Sequence, residues 1–97
     1  MVQQTDTKQI KIATGSVNRL RKELNLYQKE YEANLKKVVE LHDDYAAKKQ
    51  QELADESKLM ISDTEKRLVK ATNVLQSLVE VAGDCEEKQL ALKALEV

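Results

Sequence analysis

The sequence predicts an all-α protein: an antiparallel three-helix bundle with left-handed coiled-coil-like packing, two long helices and a short third. Three observations carry this. The chain has no proline and only two glycines, Gly15 and Gly83, in 97 residues, so the punctuation that a β-domain or loop-rich fold needs is missing. Charged residues make up 34% and hydrophobic ones 41%, which suits helices with one solvated face and is too apolar for a disordered polyelectrolyte. Apolar residues also recur at spacings of three and four along most of the chain.

In the first segment, Ile10, Ala13, Val17, Leu20, Leu24, Tyr27, Tyr31, Val38, Leu41 and Tyr45 hold one heptad phase, and Asn34 alone breaks the series. This predicts a helix over about 6–41, with Asp6 and Gln9 as a capping pair. A second series runs through Ala47, Gln50, Ala54, Ser57, Ile61, Thr64, Leu68, Ala71, Leu75, Leu78 and Ala82. Extending the first phase would bring Lys48 and Glu52 into the seam, so the stripe jumps near 42–45. Asp43 and Asp44 suit a helix N-cap there. A reversal of direction explains the jump, and one long helix with a phase slip is the alternative. The second helix is expected over about 44–82, with a kink near Ser62, where Ser62 and Glu65 fit a capping box.

Gly83 suits the left-handed position after a helix, and Asp84 suits the N-cap of the next, with Glu86 and Glu87 in its first turn. The third helix is expected over about 85–96. The two long segments are each about 37 residues, roughly 55 Å of helix, and so match in length. The short helix can cover only the part where 10–24 faces 68–82. The pairing around Asn34, Ala47, Gln50 and Ser57 should be thinner, more polar and softer. All 97 residues read as one domain, and a narrow seam can close within a monomer or in a homodimer.

Catalytic chemistry finds little to work with. His42 is the only histidine and Cys85 the only cysteine, so no metal-ligand cluster is expected. His42 reads as a helix-end residue and Cys85 as a small packing residue. Gly15 is isolated and does not belong to a phosphate loop. Carboxylates are abundant, but on long helices they form a solvated face. The chain is expected not to be an enzyme and to use no cofactor or metal. The net charge of −1, with signs interspersed, gives no basic stripe for nucleic acid. No apolar run is long enough to cross a membrane, and the N-terminus lacks a signal-peptide core. A lone cysteine fits a reducing compartment, so the cytoplasm is expected.

Tyr27, Tyr31 and Tyr45 occupy seam positions, where their rings pack and their hydroxyls reach water. Met60 flanks the seam as a gap-filler. Ile12, Leu26, Leu59 and Val69 fall outside the seam. A bundle that binds along its side would show such a shallow face of mixed apolar and charged residues.

Two segments point to a family. QIKIATGSVNRLRKELNLYQKEYE, residues 9–32, resembles the first helix of the tubulin-binding cofactor A (tubulin-specific chaperone A) family, in the pattern Q-I-x-I-x-T-G-x-V-x-R-L-x-K-E. KKQQELADESKLMISDTEKRL, residues 48–68, is similar to the family's K-K-Q-x-E-x-L-x-E-S-x-M-M-I-P-D-x-x-x-R-L segment, with a small offset in its middle. Ser62 stands where the family carries proline, the linker before Lys48 is shorter, and beyond Val81 the likeness is only of helical character. The resemblance implies a three-helix bundle that captures folding intermediates of β-tubulin and holds them for assembly into the αβ-heterodimer. Capture would be stoichiometric and need no nucleotide. It implies β-tubulin, an acidic client, as partner, with other tubulin-folding cofactors in second place, and a cytoplasmic, cytoskeleton-associated setting. The motif-matching outward positions Arg19, Lys22, Lys49, Glu52 and Glu56, with off-seam Leu26 and Leu59, are the candidate client-binding residues. A structural coiled-coil oligomerisation module is the alternative function.

Overall fold

The heptad-patterned stretches fold into three α-helices in a computed structural model that describes residues 4–96, with side chains from Thr7 onward. They are α1 (Gln4–Glu40), α2 (Asp44–Val81) and α3 (Glu86–Leu95). The described residues contain no strand. The chain divides into two compact units, Met1–Arg21 with Arg67–Val97, and Lys22–Lys66.

The first unit holds the aliphatic core. Ile10 and Val17 of α1, Leu75 and Val79 of α2, and Ala91 and Ala94 of α3 are buried together. Ala13, Leu68, Ala71, Leu78, Ala82 and Leu95 pack around them. The side chains that α3 contributes to the buried centre are both alanines, and small contact residues allow helices to approach closely. Thr14 is buried within this stripe without an orphaned hydroxyl, because its Oγ1 donates to the Ile10 carbonyl at 2.8 Å. Arg21 Nη1 donates to the Ala94 carbonyl, tying α1 to the last turn of α3.

The second unit is a pair of helical segments with a different interior. Ala54 is its one buried apolar residue, accompanied by buried Ser57 and Thr64. Leu24, Tyr27, Tyr31, Val38, Ala47 and Ile61 are only half-buried, as expected where two segments have no third to cover them. The amide of Asn34 sits between the segments. Its Oδ1 accepts from Gln50 Nε2 at 2.7 Å, and its Nδ2 donates to Ser57 Oγ at 3.2 Å. The hydroxyl of Ser57 donates in turn to the Leu53 carbonyl at 3.2 Å. Bonds from one residue to partners 16 and 23 positions later show that the chain doubles back, which makes the phase jump a reversal.

The ends of the elements follow local chemistry. The helix α1 begins at Gln4, so Asp6 lies within the first turn and not at its cap. Residues 41–43 make the turn, and Asp43 caps α2: its Oδ1 accepts from the amides of Tyr45 at 2.8 Å and Ala46 at 3.2 Å. The heptad phase of α1 stops with the helix, so Leu41 and Tyr45, both read as seam residues, are exposed, Tyr45 by 71%. Its ring instead lies under Lys49 Nζ, 5.7 Å from the centroid. Helix α2 is uninterrupted through Ser62 and Glu65.

Two readings of the last turn need correction. Gly83 does not take a left-handed conformation, since no glycine among the described residues has a positive φ. Helix α2 closes by an Ala82 amide bond to the Val79 carbonyl at 3.3 Å, and Lys88 Nζ donates to the Ala82 carbonyl at 3.2 Å. These bonds occupy two carbonyls at the helix end without an αL residue. The N-cap of α3 is Cys85, not Asp84. Cys85 has extended backbone, φ −161° and ψ 165°, and its Sγ accepts from the Lys88 amide at 3.4 Å.

Candidate functional site

All seven candidate client-binding residues lie at the surface. Arg19, Lys22 and Leu26 on α1, and Lys49, Glu52, Glu56 and Leu59 on α2, are exposed. Arg19 belongs to the first unit and the other six to the second. Lys49, Glu52, Glu56 and Leu59 follow a 3-4-3 spacing and so share one stripe of α2. Lys22 and Leu26 are one turn apart on α1.

The second unit brings Glu56 into a shallow groove beside the Asn34–Ser57 contact. Glu30, Ala33 and Lys37 of α1 form one wall, and Leu53, Glu56 and Met60 of α2 form the other. The spacing of four and three through Leu26, Glu30, Ala33 and Lys37 puts Leu26 on the same stripe as the α1 wall. Sequence reasoning missed Glu30, Lys37 and Leu53 altogether. Met60, read as a gap-filler of the seam, is instead 43% exposed on the groove wall. A signal for the pair was present: Leu53 and Met60 each stand one residue before a seam position, Ala54 and Ile61, and seven residues from each other.

Two further hollows lie in the first unit. One is lined by Lys11 and Thr14 of α1 with Glu86, Glu87 and Leu90 of α3. The other lies between α2 and α3, with Val79, Leu92 and Leu95 as its apolar part and Arg21 at its edge. His42 is exposed in the turn between α1 and α2, and Cys85 is a half-buried free thiol. Among the described residues, no group of three or more His, Cys, Asp or Glu side chains converges on a common point that could hold a metal ion. No helix among them is long and apolar enough to cross a membrane.

What this arrangement offers is surface: long helical faces and open grooves in which aliphatic and charged side chains alternate. The fold and these faces define the class: an all-helical bundle whose described residues offer extended surface and shallow grooves.

Comparison with known proteins narrows the class. The family model for "Tubulin binding cofactor A" matches residues 5–97. Tubulin-specific chaperone A of Oryctolagus cuniculus is 41% identical over 86 residues, covering 84% of this chain and 80% of that protein. Among solved structures, tubulin folding cofactor A from Arabidopsis thaliana superposes with a TM-score of 0.86 at 31% identity, covering 96% of this chain and 94% of that one. The human tubulin chaperone cofactor A gives a TM-score of 0.82 at 37% identity, covering 94% and 95% of the two chains. The chain belongs to the tubulin-binding cofactor A family.

Proposed function

We propose that this protein captures folding intermediates of β-tubulin and holds them, one chaperone to one client and without nucleotide, for assembly into the αβ-heterodimer. The observation that carries the reading is the family match across residues 5–97, together with relatives described as tubulin-specific chaperones. The exposed helical faces are compatible with it. A partly folded client presents extended, uneven surface, which many weak contacts along a helix side can hold without a deep pocket. In this reading Arg19, Lys22 and Lys49 steer an acidic client toward the protein, while Leu26 and Leu59 supply apolar contact and Glu52 and Glu56 set its orientation. The setting would be the cytoplasm, where tubulin folds.

The test is capture of β-tubulin by the purified chain, measured by co-purification and repeated with the combined variant Arg19→Glu, Lys22→Glu, Lys49→Glu. All three side chains are exposed, so the variant should keep its helicity. Binding is expected to weaken, and added salt should slow association of the wild type more than of the variant. Undiminished capture by the folded variant removes these cations from the interface. Failure of the wild type to capture β-tubulin removes the client assignment itself.

A further inference from the structure

The groove of the second unit carries a feature that steering of an acidic client does not use. Leu53 and Met60, 48% and 43% exposed, stand two turns apart on its α2 wall. In height between them stands Glu56, and the opposite wall carries Glu30. The antiparallel register is set by Asn34, which bonds both Gln50 and Ser57. That register brings Glu30 about level with Glu56 and Ala33 about level with Leu53. Neither carboxylate has a hydrogen bond or ion pair with any described residue. Two like charges therefore face one groove from both sides, flanked by aliphatic surface, and Lys37 closes one end.

A carboxylate on a helix is ordinarily just solvated. Here the pair is set between side chains that gain by leaving water, and a cation placed between the two would meet a carboxylate acceptor on either wall. Resting on the client reading above, we infer that this groove seats an amphipathic helical segment of the client that carries one arginine or lysine between two aliphatic residues. The cation bridges Glu30 and Glu56, and the aliphatic groups cover Leu53 and Met60. Leu53 and Met60 are separated by seven residues, roughly 10 Å along α2. A client helix laid along the groove would match them with aliphatic residues two turns apart and the cation midway. An arginine suits the site better than a lysine, because its planar fork can address two carboxylates at once. Lys37 disfavours a second cation at its end of the groove. The client's overall acidity governs approach, and this local basic segment governs seating.

The experiment uses the full chain and overlapping synthetic peptides that together cover the β-tubulin sequence, with binding read by fluorescence anisotropy. Wild type is compared with Glu30→Lys/Glu56→Lys, Glu30→Gln/Glu56→Gln and Leu53→Ser/Met60→Ser, each first checked for unchanged helicity. The best binders should carry a basic residue between two aliphatic ones. Their affinity should fall by roughly ten-fold or more with the lysine pair and by less with the glutamine pair. Changing the peptide's basic residue to glutamate should restore binding to the lysine pair. Equal binding by wild type and the lysine pair, or a preference for acidic peptides, overturns the inference. If that happens while whole β-tubulin is still captured, the groove assignment falls and the client reading stands. No capture of β-tubulin by the wild type sinks both. Self-association in sedimentation that Leu53→Ser/Met60→Ser abolishes would give the groove to a second copy of the chain and also overturn it.

Discussion

Truncating Leu75 to alanine tests the core of the first unit. Leu75 is 0% exposed and belongs to the buried cluster of Ile10, Val17, Val79, Ala91 and Ala94. Three carbons leave, and the loss includes both their transfer from water and the cavity that remains. Collapse around that cavity is poor, because the α3 side chains buried in the cluster are alanines with only a methyl to offer. The expected cost is therefore in the upper part of the range of about 2–5 kcal/mol. A chain of this size has about 5–15 kcal/mol in total, so the variant loses a large share. At roughly 4–8 °C per kcal/mol, the midpoint should drop by tens of degrees. The assay is thermal and urea unfolding followed by far-ultraviolet circular dichroism. Leu59→Ala is the control: that side chain is 71% exposed, and its loss should cost under about 0.5 kcal/mol. Equal destabilisation by the two variants would refute the assignment of the core.

Gly15 lies inside α1, and a Cβ built there meets nothing within 4 Å, so Gly15→Ala should stabilise by about 0.5–1 kcal/mol in urea unfolding. Cys85→Ser should raise the stability of α3 by a few tenths to about 1 kcal/mol, because a hydroxyl accepts the Lys88 amide better than the present thiol at 3.4 Å. Asn34→Ala leaves the Gln50 amide and Ser57 hydroxyl without their interhelical partner and should cost about 1–2 kcal/mol by the same measurement. Replacing the layer as a whole, Asn34→Leu with Gln50→Leu and Ser57→Ala, should raise stability instead, at the expense of a looser choice of pairing visible as self-association in sedimentation.

The parts of the fold legible in the sequence are those where many residues say the same thing. Every position of the second heptad series, from Ala47 through Ala54 and Leu75 to Ala82, is buried or half-buried in the structure, because a phase repeated over many turns averages out local exceptions. Single-residue signals fared worse. Asp84 and Cys85 are neighbours that can both cap, and the one whose side chain reaches the Lys88 amide is decided by the path of the chain after Val81. Gly83 has the conformational freedom for a left-handed turn without using it. Tyr45 keeps the spacing of α1, but the helix has already ended, and spacing carries no meaning across a turn. For the candidate site, exposure of Arg19, Lys22 and Lys49 follows from their places off the heptad phase. The groove does not, because Glu30 and Glu56 become a pair only once the register across two segments is known, and a chain this rich in carboxylates gives no reason to single them out.

The two units also differ in what holds them, and this has a consequence for their local stability. In the first, aliphatic side chains from three helices bury one another, which contributes most of the stabilisation available to a small helical protein. In the second, the buried side chains are Ala54, Ser57 and Thr64, the apolar residues around them are only half-buried, and a chain of hydrogen bonds links Gln50 to Asn34 to Ser57 to the Leu53 carbonyl. A satisfied hydrogen bond contributes only about 0.5–1.5 kcal/mol net, since water offered the same partners before folding. What the amide layer supplies is choice: one register satisfies Asn34 on both sides, and a slip by a turn would break it. The second unit should therefore open at a lower free energy than the first, in the sense of local unfolding. Native-state hydrogen exchange should show amides of residues 22–66 exchanging faster than those around Ile10, Val17 and Leu75, with Asn34→Leu/Gln50→Leu/Ser57→Ala slowing the former and leaving the latter unchanged. Uniform protection across all of these amides would mean that the polar layer contributes as much as the aliphatic core, and the distinction between the two units in stability would fail.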